Sequence, residues 1–289
     1  GNALDNIITG SPVKSDLAGY AGDDELHGGY GADWLYGGFR TRAEANGRFD
    51  GNDTIYGDQG DDMIVVLFGN DVVHGGADSD TLYFAEVKSD LTVNLADGKT
   101  TYTEGDQWVA PDGMSAGAFG GIYTVTFDGI ENLTGGYGND KLTGDGFKNV
   151  LMGGYGDDTL KGEGGNDILY GGYKDPAYFD GMDTLFGGAG DDLLVVRWGN
   201  DTAHGGEDND TLSFTEVTVD LTLDLAKGST SYYDSGSYSD PKTNTSGAFA
   251  GLYLVSWDGI ENLTAGKGKD TLTGDAKDNR LDGGLGIDT

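Results

Sequence analysis

The sequence predicts an all-β chain wound from short repeats, and three observations carry that prediction. Glycine supplies 54 of the 289 residues while proline supplies only 4. A nine-residue frame, G-G-x-G-x-D-x-U-x with U apolar, runs through most of the chain. Fifty Asp and Glu against 17 Lys and Arg give a formal net charge of -33, and many of those acids fall at one fixed place in the frame.

Clear copies of the frame are GGYGADWLY at 28–36, GGYGDDTLK at 153–161, GEGGNDILY at 162–170 and GGAGDDLLV at 187–195. In all, 21 copies can be placed. Their sixth position is Asp in fifteen, Glu in two (Glu131, Glu261), Asn in three (Asn6, Asn149, Asn279) and Ser once (Ser15). The eighth is apolar in all twenty copies that reach it. Such a repeat suits a Gly-rich turn followed by a very short strand whose eighth side chain points inward. It cannot stand alone. Ordering nine backbones costs about 1–2 kcal/mol each, whereas burying one Leu returns only about 1.5–3 kcal/mol. The repeats must therefore stack, with successive strands on alternating sides, so that repeats i and i+2 lie over one another.

A longer period is superimposed on the short one. VVLFGNDVVHGGADSDTLYF at 65–84 recurs as VVRWGNDTAHGGEDNDTLSF at 195–214, which marks a tandem duplication. Eleven extra residues follow Phe39 and seven follow Tyr173, as expected of exposed turns. Each half also leaves the frame for 42 residues, at 84–125 and 214–255. LTVNLA at 91–96 with IYTVTF at 122–127, and LTLDLA at 221–226 with LYLVSW at 252–257, alternate at period two. Each departure is expected to be a pair of strands joined by a polar loop. The expected organisation is one repeat unit at 1–125, a second at 126–255, and the start of a third at 256–289. Since the first residue is not Met and the last repeat is incomplete, the chain reads as part of a longer one.

Charge and composition exclude several classes. A net charge of -33 repels nucleic acid and anionic membranes and favours cations as partners. Cysteine is absent, so disulfides and thiolate metal sites are excluded. No apolar run approaches the roughly 18 residues of a membrane-spanning helix. Stacked repeats bring two sixth-position carboxylates and several turn carbonyls together. Calcium takes 6–8 oxygen ligands in irregular geometry, whereas magnesium demands a near-ideal octahedron, so an oxygen cage of this kind suits calcium.

With this nonapeptide in register along the chain, and with LTVNL in the first departure and GIENLTGG on the return from it, the sequence resembles the repeats-in-toxin proteins, large type I-secreted bacterial surface and adhesin-like proteins among them. The resemblance implies a right-handed parallel β-roll in which sixth-position carboxylates and the carbonyls of the first four positions bind multiple calcium ions. By position the metal-binding side chains would be Asp24, Asp33, Asp53, Asp62, Asp71 and Asp80 in the first half. In the second half they would be Asp140, Asn149, Asp158, Asp167, Asp183, Asp192, Asp201 and Asp210, followed by Asp270 and Asp288. The carbonyls would include those of Gly28, Tyr30, Gly31, Gly153, Tyr155, Gly156, Gly162, Gly164, Gly165, Gly187, Ala189 and Gly190. Asn149 and Asn279 would be weaker, neutral ligands, and Ser15 a gap. Repeats 66–74 and 196–204 lack both leading glycines, and Arg197 would place a cation where the metal belongs.

The resemblance also implies export to the outside of the cell or to its surface, and a fold gained on meeting extracellular calcium. An enzyme would need chemistry outside the frame. No H-E-x-x-H helix, G-x-S-x-G elbow, P-loop or EF-hand loop occurs. His74 and His204 hold equivalent ninth positions, which fits packing better than catalysis. The leading reading is a calcium-folded extender or display module. A second is a calcium-dependent module for glycans or a surface partner, using Tyr102, Trp108, Tyr232 and Tyr233 in the departures. A third is the noncatalytic tail of a secreted hydrolase.

Overall fold

The structure, a computed structural model, describes residues 1–45, 50–84, 86–109, 116–173, 181–240 and 245–289, with the backbone alone at 42–43, 105–109, 116–120, 235–240 and 245–250. The chain divides into two units, Gly1–Tyr137 and Gly138–Thr289. Both are parallel β-rolls built as the nine-residue period demands.

In the first unit the strands alternate between two sheets. One sheet runs through Ile7–Thr9, Glu25–Tyr30, Thr54–Gln59 and Val72–Ala77, and the other through Asp16–Ala18, Trp34–Tyr36, Met63–Val65, Thr81–Tyr83 and Asn132–Thr134. All these pairings are parallel and in register. Ile8 faces Leu26 and Leu17 faces Leu35, two repeats apart. Where the eleven-residue insertion intervenes the register still holds, with Leu26 against Ile55 and Leu35 against Ile64. Longer turns are absorbed outside the ladder because closing them adds little entropy.

The second unit repeats the plan. Lys141–Thr143, Thr159–Gly164, Thr184–Ala189 and Thr202–Glu207 form one wall, and Val150–Gly154, Ile168–Gly172, Leu193–Val195, Thr211–Ser213, Asn262–Thr264 and Arg280–Asp282 the other. The centre of each unit is a column of eighth-position side chains, joined by buried Phe39, Phe84 and Val87 in the first and by Phe214 and Val217 in the second. Leu26, Leu35, Ile55, Ile64, Val73 and Leu82 are fully buried in the first unit, as are Leu142, Leu151, Leu160, Leu169, Leu185 and Leu194 in the second. With one apolar residue per repeat this column is thin, so the turns must contribute to stability.

The departures are paired strands, but not the pairs the sequence suggested. IYTVTF lies in Ala116–Asp128, whose antiparallel partner is Lys99–Val109, a stretch expected to be loop. LTVNLA instead gives one short strand, Thr92–Asn94, and then a 3-10 turn, Leu95–Asp97. Asn94 caps that turn by accepting from the Ala96 N–H, and Gly98 closes it with a left-handed backbone (φ 59°). The second unit matches, with Thr222–Asp224, the turn Leu225–Lys227, and Ser229–Asp240 paired with Thr245–Asp258. The polar stretch is a strand because only alternate residues must be apolar. Thr100, Tyr102 and Glu104 turn inward, and Tyr102 pairs with Tyr123. At its end Ala116–Asp128 rejoins the first wall, with Phe127 beside Val73. Among the described residues no helix is long and apolar enough to cross a membrane.

Candidate metal centre

Many sixth-position Asp residues use their two carboxylate oxygens differently. One of them, Oδ1, accepts a hydrogen bond from the main-chain N–H of the sixth residue two repeats earlier: Asp33 to Asp62 at 2.8 Å, Asp62 to Asp80 at 2.9 Å, Asn149 to Asp167 at 2.7 Å, Asp167 to Asp192 at 2.8 Å and Asp192 to Asp210 at 2.9 Å. These bonds lock the stacked turns into a ladder and fix the carboxylate orientation.

The other oxygen is left over. Oδ2 of Asp24, Asp33, Asp53, Asp62, Asp80, Asp167, Asp192 and Asp210 is buried without a hydrogen-bond partner. A Cβ added at Gly57 would lie 2.6 Å from Asp62 Oδ2 and 2.3 Å from the carbonyl oxygen of Gly75 in the stacked turn. At Gly162 the corresponding distances are 2.2 Å to Asp167 Oδ2 and 2.5 Å to the Gly187 carbonyl, and at Gly187 they are 2.4 Å to Asp192 Oδ2 and 2.5 Å to the Gly205 carbonyl. Asp158 takes the same position, its Oδ2 2.3 Å from a Cβ at Gly153. A leading glycine is therefore needed to keep a small space lined by carboxylate and carbonyl oxygen. A buried carboxylate oxygen with no donor is expensive unless a cation meets it.

Burial raises the carboxyls of Asp62 and Asp167 to about 6 and those of Asp80 and Asp210 to about 7. In each case desolvation is the largest cause, and the main-chain hydrogen bond opposes it. Neighbouring carboxylates add to the rise, as Asp33 does for Asp62 and Glu131 does for Asp80.

The sequence did not reveal that the turns come in two kinds. In the open kind the second residue has a left-handed backbone, as at Tyr20 (φ 78°), Asp58 (φ 73°), Glu163 (φ 73°) and Gly188 (φ 119°), and Oδ2 stays partnerless in Asp24, Asp62, Asp167 and Asp192. In the closed kind the second residue keeps φ out of that region and its N–H donates into the sixth side chain. Asn2 donates to Asn6 at 2.8 Å, Ser11 to Ser15 at 3.0 Å, Asp145 to Asn149 at 2.8 Å, Gly266 to Asp270 at 3.2 Å and Asp275 to Asn279 at 2.8 Å.

Asn149 and Asp270, expected as ligands, thus have the relevant oxygen engaged. Asp201 is closed the same way, by the main-chain N–H of Arg197. The guanidinium expected to occupy that site instead lies 3.8 Å over the Trp198 ring. Asp71, Asp140, Asp183 and Asp288 show no buried partnerless oxygen. Among the carbonyls, those of the first position, such as Gly28 and Gly187, face the cradle of the stacked turn. The fourth-position carbonyls of Gly31, Gly156 and Gly165 face the fourth-position glycines Gly60, Gly181 and Gly190. A third-position carbonyl, that of Ala189, accepts the Gly165 N–H at 2.8 Å.

The donors are hard oxygens, carboxylate and main-chain carbonyl, which is calcium chemistry. Among the described residues no cluster of three or more His, Cys, Asp or Glu offers a transition-metal site. The pattern of the RTX calcium-binding nonapeptide repeat matches residues 16–39, 49–82, 125–146, 143–172, 179–212 and 258–289, more than half of the chain. The chain belongs to that family.

RTX repeats bind multiple calcium ions and serve a structural, generally noncatalytic role. No curated protein matches the chain. Among solved structures, the extracellular lipase LipA from Serratia marcescens is similar at 19% identity over 83% of this chain, with a TM-score of 0.27. The match spans 38% of the lipase chain, and it bears on neither activity nor substrate.

The aromatic residues singled out for ligand contact fall apart as a group in the RTX roll. Tyr102 and Tyr232 are buried at 3% and 4% exposure. Tyr102 packs edge-on against Phe84 with centroids 5.9 Å apart and donates to the Leu67 carbonyl at 3.2 Å; Tyr232 packs on Phe214 and donates to the Arg197 carbonyl. Both hold the hairpins onto the roll. Tyr233 is 61% exposed, and the Trp108 side chain lies outside the described residues. His74 stacks on Tyr56 and lies 3.0 Å from Asp128, and His204 stacks on Phe186 and lies 3.0 Å from Asp258. These are sheet-face contacts.

Proposed function

We propose that the chain is a structural module of a secreted or cell-surface bacterial protein, folded by calcium held in the open turns of the RTX roll. The observation that carries this reading is the row of buried, partnerless Oδ2 atoms facing glycine carbonyls, at Asp24, Asp33, Asp62, Asp80, Asp167, Asp192 and Asp210. Each ion would neutralise carboxylates that otherwise repel across stacked turns. Each occupied site stabilises the fold by RT ln(1 + [L]/Kd), about 2.7 kcal/mol at a hundredfold excess over Kd. With a central column of one apolar side chain per repeat, that contribution decides whether the roll forms. The charge of -33 expands the metal-free chain, in keeping with export unfolded and folding in extracellular calcium.

The test is a calcium titration of the chelator-stripped protein that follows far-ultraviolet circular dichroism and bound-ion stoichiometry together. A cooperative gain of β structure with several ions bound is expected. A protein already folded without calcium, binding few ions, sinks the reading.

A further inference from the structure

The turn at Gly37–Gly38 belongs to neither kind. In regular open turns the first glycine faces its own Asp Oδ2 and a carbonyl from the stacked turn, as Gly57 faces Asp62 and Gly75. At Gly37 the nearest atoms to an added Cβ all belong to Asp53, with Oδ2 at 2.5 Å. The stacked turn there begins Val66-Leu67 instead of Gly-Gly, and none of its carbonyls approaches as closely.

A different group fills the place. Asp50, the last of the eleven inserted residues, turns its carboxylate onto Gly38, where an added Cβ would lie 2.0 Å from Oδ2. Asp50 is 1% exposed. The main-chain N–H groups of Phe68 and Gly51 donate to its carboxylate, yet Oδ1 is buried with no partner. Asp53 Oδ2 is likewise buried with no partner. Two adjacent glycines thus carry two carboxylates, each with an unsatisfied oxygen, where regular turns present one carboxylate and one carbonyl. Uncompensated, such a pair is strongly unfavourable, and a hard cation between them removes the cost.

We infer that Asp50 and Asp53 together hold one calcium ion against Gly37–Gly38, with the Asp50 carboxylate replacing the stacked-turn carbonyl used elsewhere, and that this site is the tightest in the first unit. The inference rests on the calcium reading of the roll. Calcium affinity is tuned by the number of charged ligands, and here a full negative charge stands in for a carbonyl dipole. The phrase F-D-G-x-D-T closes both insertions, at 49–54 and 179–184, although they differ in length by four residues. Length is free to vary while the Asp is kept at the same distance from the turn. Asp180 itself lies outside the described residues.

The test is calorimetric titration of the metal-stripped full chain with calcium, comparing the wild type, Asp50→Asn, and Asp167→Asn as a regular-turn reference. Asp50→Asn is expected to lose one ion from the tightest class, or to weaken it at least tenfold, while Asp167→Asn loses an ion from a weaker class. An unchanged titration for Asp50→Asn, with the Asp167→Asn loss intact, overturns the inference and leaves the calcium reading standing. Absence of binding in the wild type overturns both. Should Asp50→Asn not fold, anomalous scattering from calcium-grown wild-type crystals decides: an ion between Asp50 and Asp53 supports the inference, and an empty turn beside filled turns at Asp62 and Asp167 overturns it.

Discussion

The turns at Gly187–Asp192 and Val196–Asp201 are neighbours in sequence and belong to opposite walls of the same roll, yet they solve one problem in two ways. Both bury an Asp carboxylate whose Oδ1 accepts a main-chain N–H, from Asp167 at 2.8 Å in the first and Asp183 at 3.0 Å in the second. In the first, Gly188 is left-handed and Asp192 Oδ2 has no protein partner; in the second, the Arg197 N–H donates to Asp201. The first turn leaves a carboxylate oxygen for an ion, and the second supplies its own donor. A sixth-position Asp alone thus does not leave a carboxylate oxygen unpartnered, and between these two turns the backbone of the second residue makes the difference.

Gly187→Ala should be the most damaging way to break that contrast, because its methyl group would press on both Asp192 Oδ2 and the Gly205 carbonyl. Overpacking together with loss of an ion predicts about 4 kcal/mol of destabilisation in saturating calcium, read by denaturant unfolding. Asp192→Asn should cost about 2.7 kcal/mol in excess calcium, with one fewer ion bound. Asp201→Asn should cost about 1 kcal/mol in the same calcium, the value of one hydrogen bond, with the number of bound ions unchanged. Equal calcium dependence in the two variants would erase the distinction between open and closed turns.

A pH series sharpens it further. The raised carboxyls of Asp62, Asp80, Asp167 and Asp210 stabilise the metal-free roll only while protonated. That stability is complete below the unfolded value near 4 and is lost as pH climbs through about 6 to 7. In chelator the chain should therefore show more β structure at pH 5 than at pH 8, and in calcium the order should reverse, because the ion competes with protons for the same oxygens. The smallest effect belongs to Glu163→Gly. Relieving a left-handed backbone at a side-chain-bearing residue should add about 1 kcal/mol of stability with the ion count unchanged.

Much of this was legible in the residues. The nine-residue frame placed Leu160 and Leu185 in the core and set their pairing two repeats apart, because the apolar eighth position has only one inward direction to take. The carboxylate register put Asp62 and Asp192 at the cradles for the same reason. What escaped was conformational. Nothing in residue type marks Tyr20, Asp58 and Glu163 as left-handed, so open and closed turns read alike. Lys99–Val109 looked like loop because its polar residues concealed a one-sided strand, and Tyr102 looked like a surface aromatic because its partner Phe84 lies outside the hairpin. Asp50 sat beyond the repeat frame and was passed over, although the shared F-D-G-x-D-T phrase was there to be seen.

The alternation of walls has a genetic consequence. In the first unit the chain leaves the roll after Thr81–Tyr83 and rejoins at residues 126–128 beside Val72–His74, so the long departure occupies one beat of a two-beat rhythm and the next strand, Asn132–Thr134, falls on its proper side. Within a unit, gaining or losing one nonapeptide would throw every later carboxylate onto the wrong wall, whereas gaining or losing two would pass unnoticed by its neighbours. Such a gene can lengthen or shorten its product by copying errors, provided they come in even numbers.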